Sequence, residues 1–380
     1  MSEIESIVGK EIENGEFRRQ TSAFRSWVGP DPRAGGQEEF PLEAGRYHLY
    51  VSLACPWCHR TVIVRELAGL ADAIPIHFAA PFRDERGWAF TGEEFDDGPG
   101  GRYIDALNGW AFLSEAYFAS DPGYADRVTA PVLWDSVTGR IVNNESADIV
   151  RMMGEEGSLG ALGHGAGLEL YPQALREEID EINVRCFTTI GNAVYRCGFA
   201  RSQAAYERAF SELFESLAWM DGLLADRRFL LGERITEADW RIFPSLARFD
   251  EVYVTHFRCN GRRLVDYPNI WPYARELYQE PGVAETVAMD QIKRHYYTTH
   301  DELNPKRIIP VGPGYDWTAP AERGTALWRV EVALSSADAQ WCNAVAEELV
   351  RGGWSDAGRR QSDLREHHTC LLYTSDAADE

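Results

Sequence analysis

The spacing of apolar positions changes character near residue 168. Before it, apolar residues come in short runs rich in aromatic and β-branched side chains. Tyr47-His48-Leu49-Tyr50-Val51-Ser52 predicts a strand, and the run Thr61-Val62-Ile63-Val64-Arg65-Glu66-Leu67 predicts a helix after a short loop. Ile74-Pro75-Ile76-His77-Phe78 predicts a second strand and Pro131-Val132-Leu133-Trp134-Asp135 a third. Ile141-Val142-Asn143 predicts a fourth, after the turn at Thr138-Gly139. The stretch between the second and third strands, residues 80–127, is Gly- and Asp-rich and is expected to be a long functional loop. From Leu168 the period becomes helical. Tyr206, Phe210, Leu213, Leu217, Met220 and Leu224 recur at steps of three and four, which puts them on the core face of a bundle helix. Thr236-Glu237-Ala238-Asp239 has the form of a capping box opening a helix that carries Trp240, Phe243 and Leu246, so Asp239 is expected to be a cap rather than a catalytic acid. No internal repeat is present.

These patterns predict an α/β plus all-α chain. Residues 1–45, punctuated by Gly29-Pro30-Asp31-Pro32 and Gly35-Gly36, form an N-terminal arm that Phe24 and Trp27 could anchor. Residues 46–160 form the α/β domain and residues 168–320 the helical one. Residues 321–380 break the pattern. The closing Leu371-Leu372-Tyr373-Thr374-Ser375-Asp376-Ala377-Ala378-Asp379-Glu380 reads as a read-through, misassembled or frame-shifted tail outside the functional fold. A helix between Leu334 and Val350 is the competing expectation.

Composition narrows the function classes. The 380 residues allow two or three domains, and 44% apolar with 26% charged residues is ordinary globular usage, so neither a disulfide miniprotein nor a disordered chain fits. With 38 basic against 60 acidic residues the formal charge is −22, which argues against a phosphate-neutralising surface and hence against nucleic acid. A local basic pocket for a small anion stays open. The start, Met1-Ser2-Glu3-Ile4-Glu5-Ser6, has acids where a secretory signal is basic, and no apolar run approaches the roughly 20 residues of a membrane span. The expectation is a soluble cytoplasmic chain without a membrane partner. Seven cysteines, at 55, 58, 186, 197, 259, 342 and 370, are odd in number and scattered, which suits a reducing compartment.

Cys55-Pro56-Trp57-Cys58-His59 stands where the first strand gives way to a helix. Structural zinc would need a second ligand pair. No other C-x-x-C exists, and the one H-x₄-H, His295 to His300, is far away in the helical half, so no metal is expected. Covalent haem attachment fits the string C-x-x-C-H but not a chain without an export signal. Thiol catalysis fits both motif and placement, because a helix N-terminus lowers the pKa of a thiol beside it and exposes the Cys55 sulfur. A dithiol exchanger would require Cys58 to resolve the mixed disulfide, whereas a monothiol enzyme leaves that step to glutathione. Downstream, Thr129-Ala130-Pro131-Val132 predicts a cis-proline at a strand entry, exposing the Ala130 backbone to a peptide. Glu145-Ser146 at a helix start could hold a γ-glutamyl group, or could simply be a helix cap with its first-turn residue.

Together these residues resemble the glutathionyl-hydroquinone reductases, the Xi class of glutathione transferases. The resemblance rests on Tyr50 to Thr61, Arg86-Gly87-Trp88-Ala89-Phe90, Arg127 to Asp135 and Asn144-Glu145-Ser146. In the helical half it rests on Val194 to Ala200, Val252 to Phe257, His295-Tyr296-Tyr297-Thr298-Thr299-His300, and Asn304-Pro305 leading to Ile309-Pro310. It spans residues 16–320. It implies a thioredoxin-like N-terminal domain and a helical C-terminal glutathione-transferase domain, glutathione as co-substrate, an aromatic glutathionyl-hydroquinone as substrate, and a homodimer. It also implies that Cys55 is the nucleophile and Tyr195 the proton donor or acceptor. Tyr253 and Tyr296 would be phenols flanking the thiol, and Trp88, Arg127, Val128, Thr129, Ala130, Glu145 and Ser146 the glutathione site. No thiol at Cys58 is required by that mechanism, which leaves Cys58 a spectator or a secondary redox site. Arg60 could add positive potential, with a surface position equally expected.

Two other readings are an Omega-like or glutaredoxin-like thiol transferase acting on protein or small mixed disulfides, and a transferase-like fold kept as a binding module without turnover.

Overall fold

The computed structural model describes residues 12–13, 15–33, 36, 39–155, 157–164, 168–321 and 323. The chain divides into two units, Met1–Leu327 and Trp328–Glu380, and every described residue belongs to the first. The expectations for the tail, including the helix between Leu334 and Val350, lie outside the described residues.

The N-terminal arm opens with a short hairpin, β1 (Ile12–Glu13) against β2 (Glu16–Phe17). It then runs along the α/β domain. Trp27 and Val28 are buried, while Phe24 packs half-buried against Tyr117 and Tyr124.

The next elements are β3 (Tyr47–Val51), α1 (Pro56–Leu67) and β4 (Ile76–Phe78), a parallel β-α-β unit in which Leu49 faces Ile76 and Val51 faces Phe78. Residues 80–127 are not one loop. They fold into two small hairpins, β5 (Arg83–Asp84) with β6 (Gly87–Trp88) and β7 (Glu94–Phe95) with β8 (Gly101–Arg102), followed by α2 (Ser114–Ser120). The strands of these hairpins are two residues long, too short to give a period, so the sequence pattern did not reveal them. Next come β9 (Val132–Asp135), β10 (Arg140–Asn143) and α3 (Ser146–Gly154). The sheet order is β10-β9-β3-β4, with β9 antiparallel to both its neighbours.

The helical half comprises α4 (Arg176–Cys186), α5 (Ala193–Gly198), α6 (Gln203–Leu223), α7 (Glu237–Arg248), α8 (Val254–His256), α9 (Ile270–Tyr278) and α10 (Met289–Thr299). Wide π-helical turns at Phe187–Gly191 and Phe249–Tyr253 join α4 to α5 and α7 to α8. From His300 to Ala321 the chain is irregular, and Trp317 returns to pack on Trp271 and Tyr278.

Helix α1 is buried from Pro56 through Arg65, charged residues included. One side packs on α3 and another on α7, so the element carrying the Cys-Pro-Trp-Cys motif is also the seam between the two halves. This corrects the surface expectation for Arg60. Its guanidinium donates to the Arg241 carbonyl at 2.8 Å and lies over the Trp57 ring at 4.6 Å.

The capping box at α7 is present, and Asp239 does more than cap. Its carboxylate accepts from the Thr236 backbone at 2.8 Å, the Thr236 hydroxyl at 3.1 Å, the Leu230 backbone at 3.0 Å and the Tyr273 hydroxyl at 2.8 Å, all buried. Removing the carboxylate strands these donors away from water. Asp239→Ala is therefore expected to destabilise the fold by about 3 kcal/mol in urea unfolding followed by far-ultraviolet dichroism.

Candidate active site

Cys55 is the N-cap residue of α1, in extended conformation (φ −79°, ψ 124°), with Pro56 in the first helical turn. Its sulfur therefore sits in front of backbone N–H groups that have no partner within the helix. Burial pushes the thiol pKa up, but hydrogen bonds from the Cys58 thiol and from the backbone N–H groups of Cys58 and Trp57, with the charge of Arg248, outweigh it and bring Cys55 down to about 6. Cys58 moves the other way, well above the ordinary thiol value, through burial and through its hydrogen bond to Cys55. In its protonated form Cys55 can donate to the Ala130 carbonyl at 3.6 Å. The Ala130–Pro131 peptide is cis.

Arg248, the last residue of α7, crosses from the helical half to the motif loop and is fully buried. It donates to the carbonyls of Leu53 (2.9 Å), Ala54 (3.1 Å) and Pro244 (2.9 Å) and meets His59 Nδ1 at 3.0 Å. Because a guanidinium only donates, His59 Nδ1 must accept, so its proton is on Nε2 and is given to the Thr286 hydroxyl at 2.9 Å. Burial and the Arg248 charge hold His59 well below its usual pKa, in keeping with a neutral ring.

A pocket opens in front of Cys55. Trp88, Arg127, Thr129, Ala130, Tyr195 and Tyr296 line it, so the structure brings these expected site residues together. Phe17, Arg19, Arg83, His295 and His300 also line it, and the sequence reasoning assigned none of them a role there. Val128, Glu145, Ser146 and Tyr253 do not line this pocket. Glu145 is the N-cap of α3, where its carboxylate accepts from the Ala147 backbone at 3.2 Å and from Ser22 Oγ at 2.8 Å. Ser146 follows in the first turn.

Three buried phenols form a chain behind the pocket. The Tyr195 and Tyr296 hydroxyls are 2.6 Å apart, and those of Tyr296 and Tyr253 3.2 Å apart. Burial raises all three pKa values, Tyr253 and Tyr296 the furthest, so each is a neutral O–H donor at neutral pH. Gly198 makes room for this cluster, because a Cβ there would collide with the Phe257 ring that packs against Tyr195. His295 stacks on Trp88 with centroids 5.1 Å apart, and burial drops its pKa to about 3. Among the described residues no three His, Cys, Asp or Glu side chains gather as metal ligands would.

A thioredoxin-like unit with a thiol at its helix N-terminus, joined to a helical domain, defines a glutathione transferase. The glutathione S-transferase N-terminal domain family matches residues 54–156 and the C-terminal domain family residues 203–276. The chain is 46% identical to glutathionyl-hydroquinone reductase YqjG of Escherichia coli, over 81% of its own length and 92% of the relative's. It is 43% identical to glutathionyl-hydroquinone reductase PcpF of Sphingobium chlorophenolicum, over 79% and 90%. Among solved structures it resembles the Xi-class transferase of Natrialba magadii (46% identity, 80% and 89% coverage, TM-score 0.74). It also resembles the glutathione-bound form of YqjG (45%, 80% and 96%, TM-score 0.74). The chain belongs to the glutathionyl-hydroquinone reductase family, the Xi class of glutathione transferases. No helix of the described residues is long and apolar enough to cross a membrane.

The geometry gives Cys58 a part that the sequence reading did not. Cys58→Ala removes a donor to the Cys55 sulfur and is expected to raise the Cys55 pKa from about 6 toward the ordinary thiol value. Ultraviolet thiolate absorbance against pH should show this, with iodoacetamide alkylation at pH 6 to 7 slowed about tenfold. Cys58→Ser, which keeps a donor, should shift less. Replacing Arg248 by Met should raise the Cys55 pKa in the same titration and also lower the unfolding midpoint, since the Leu53 and Ala54 carbonyls lose their donor.

Proposed function

We propose that the protein reduces glutathionyl-hydroquinones to hydroquinones with glutathione as the reductant, through a mixed disulfide between Cys55 and glutathione. The observation that carries this reading is a buried thiol with its pKa lowered to about 6, set beside two neutral phenols, Tyr195 and Tyr296, in an aromatic-lined pocket. A thiol with that pKa is about nine-tenths ionised at pH 7, against a few per cent or less for an ordinary cysteine.

In the first half-reaction the Cys55 thiolate attacks the thioether sulfur. The new bond is S–S, the bond that breaks joins sulfur to the ring carbon, and the electron pair leaves with the ring. An aryl carbanion is a poor leaving group, so a proton must reach the ring as the bond breaks. The Tyr195 hydroxyl delivers it, the Tyr296 hydroxyl, backed by Tyr253, steadies the phenolate left behind, and the proton lost by the second glutathione thiol restores Tyr195. The sulfur centre is oxidised to a disulfide and the ring carbon is reduced. In the second half-reaction a glutathione thiolate attacks the glutathione sulfur of the mixed disulfide, Cys55 leaves as thiolate and glutathione disulfide departs. The sum is glutathionyl-hydroquinone plus glutathione giving hydroquinone plus glutathione disulfide.

Trp88, Arg127, Val128, Thr129, Ala130, Glu145 and Ser146 are the glutathione-binding residues in this reading. YqjG binds glutathione in its solved structure, as does the Xi transferase ECM4 of Saccharomyces cerevisiae, which is 32% identical to this chain. The Glu145 carboxylate already accepts the α3 cap and the Ser22 hydroxyl, so it meets a γ-glutamyl ammonium from a fixed position. Tyr253 acts through Tyr296 rather than on the substrate, since only Tyr195 and Tyr296 reach the pocket wall. Cys58, completely buried and with its pKa pushed up, supports a monothiol cycle, because a resolving cysteine must itself ionise. The same reading makes the protein a cytoplasmic homodimer that needs no metal.

Steady-state reduction of glutathionyl-menadiol by glutathione tests it. Cys55→Ser should abolish turnover and Cys58→Ser should leave most of it. Loss of activity in both variants would instead favour a dithiol exchanger. Because the thiolate is the attacking species, kcat/KM should rise with pH to a plateau as pH passes the Cys55 pKa near 6, and this limb should move upward in Cys58→Ala.

A further inference from the structure

In a chain of charge −22, the pocket in front of Cys55 is lined by Arg19, Arg83 and Arg127 and by no Asp or Glu. Arg127 adjoins the Val128–Ala130 edge already given to glutathione. Arg83 does not. It opens β5 in the first hairpin after β4, faces Trp88 across β6, and its guanidinium lies over the Trp88 ring at 5.3 Å. Its charge bears on Cys55, Tyr195, Tyr296 and His295, that is, on the thiol and the phenol wall of the pocket.

Arg83 is buried, with 7% of the residue exposed, and its buried Nε–H has no hydrogen-bond partner among the described residues. Burial lowers the Arg83 pKa to about 10, which leaves it charged at neutral pH. A buried guanidinium with an unused donor needs a physical reason, because stranding it costs free energy that a salt bridge or an apolar residue would avoid. Arg19 supplies a second positive charge on the same wall, 5.1 Å from the Tyr195 ring and 4.8 Å from the Trp57 ring. The flat apolar walls therefore end at two guanidinium groups. An aromatic ring carrying an anion matches that arrangement, and a carboxylate matches the Nε and Nη side of the guanidinium with two parallel hydrogen bonds.

We infer that the pocket selects glutathionyl-hydroquinones whose ring bears a carboxylate, with Arg83 holding that group and Arg19 adding to its field. The assignment deepens the reductase reading and rests on it for the identity of the reaction, but the anion site can be tested by binding alone. The probes are gentisate, which is a carboxylated hydroquinone, and its uncharged methyl ester, titrated calorimetrically into the full chain and into Arg83→Met and Arg83→Lys. Gentisate should bind the unmodified protein about tenfold or more tighter than the ester, as expected for a desolvated charge pair. That preference should fall to within about threefold in Arg83→Met and be partly kept in Arg83→Lys, which retains charge without the planar fork.

Equal affinity for acid and ester in the unmodified protein would overturn the proposal, as would a preference that survives Arg83→Met. So would a loss of S-methylglutathione affinity in Arg83→Met as large as the loss for gentisate, because Arg83 would then serve the peptide. In turnover, the ratio of kcat/KM for the gentisate conjugate over its ester should collapse in Arg83→Met. If no glutathionyl-hydroquinone is reduced while gentisate still binds through Arg83, the reductase reading fails and the anion site stands.

Discussion

The ionised state of Cys55 rests on the donors at the start of α1, the Cys58 thiol and the Cys58 and Trp57 N–H groups, and on one buried positive charge whose partners leave it uncancelled. Arg248 has no measurable exposure, and its hydrogen bonds go to three carbonyls and one imidazole nitrogen instead of a carboxylate. A carboxylate would cancel its field locally. Carbonyl dipoles satisfy the donors while leaving the net charge, and in a low-dielectric interior that charge reaches the thiol a short distance away. The Cys55 thiolate is in this sense the counter-ion that Arg248 lacks. The same bonds hold the Leu53–Ala54 backbone in place ahead of the helix, so the group that tunes the sulfur also positions it.

This constraint explains why the two halves have to be one folding unit. The charge comes from α7 and the sulfur from α1, and α1 is buried against α3 on one side and α7 on another. An isolated thioredoxin-like half would keep the free N–H groups at the helix start but would lose Arg248 and expose His59. It would also lose the phenols, all of which are on helical-half elements. The π-helical turn that follows Arg248 belongs to the same arrangement. Such a turn brings residues five apart nearly into line, and Arg248 and Tyr253 are both directed into the protein, one toward the thiol loop and the other toward Tyr296. The phenols are kept neutral by burial, which is the state a proton donor needs, while the thiol is kept ionised against burial. Opposite shifts in adjacent groups are what an acid and a nucleophile sharing one pocket require.

The sequence made the regular elements legible, because Tyr47–Val51 and Val132–Asp135 are short runs of aromatic and β-branched residues, the stripe along α6 carries a clean period, and the capping box at Thr236 fixes a helix start without help from tertiary contacts. It also made legible the residues that a motif marks, Cys55 and the cis-proline after Ala130. What it hid were charged residues in the interior. Arg60, Arg83 and Arg248 look like surface residues on any local criterion, since burying a guanidinium is favourable only when distant carbonyls, rings or a ligand meet it. Those partners are set by tertiary packing: Arg248 meets Leu53 across 195 positions of sequence, and Arg60 meets Arg241 across 181. The hairpins within residues 80–127 were hidden for another reason. Their strands are two residues long, too short for alternation to register.

The same distinction bears on how specificity is divided along the chain. The pocket edge at Thr129 and Ala130 is built from backbone next to Pro131, whose course the fold itself sets. The far wall is built from side chains on peripheral pieces: Arg19 and Phe17 from the N-terminal arm, Arg83 from a two-residue strand, His300 just past the end of α10. None of these belongs to the four-stranded sheet, although the Arg83 charge is felt at Cys55. In the proposed reading, a single reaction centre with a wall of peripheral side chains lets one thiol chemistry serve rings of different charge. On the same reading the N-terminal arm, through Phe17 and Arg19, shares in deciding which ring is accepted.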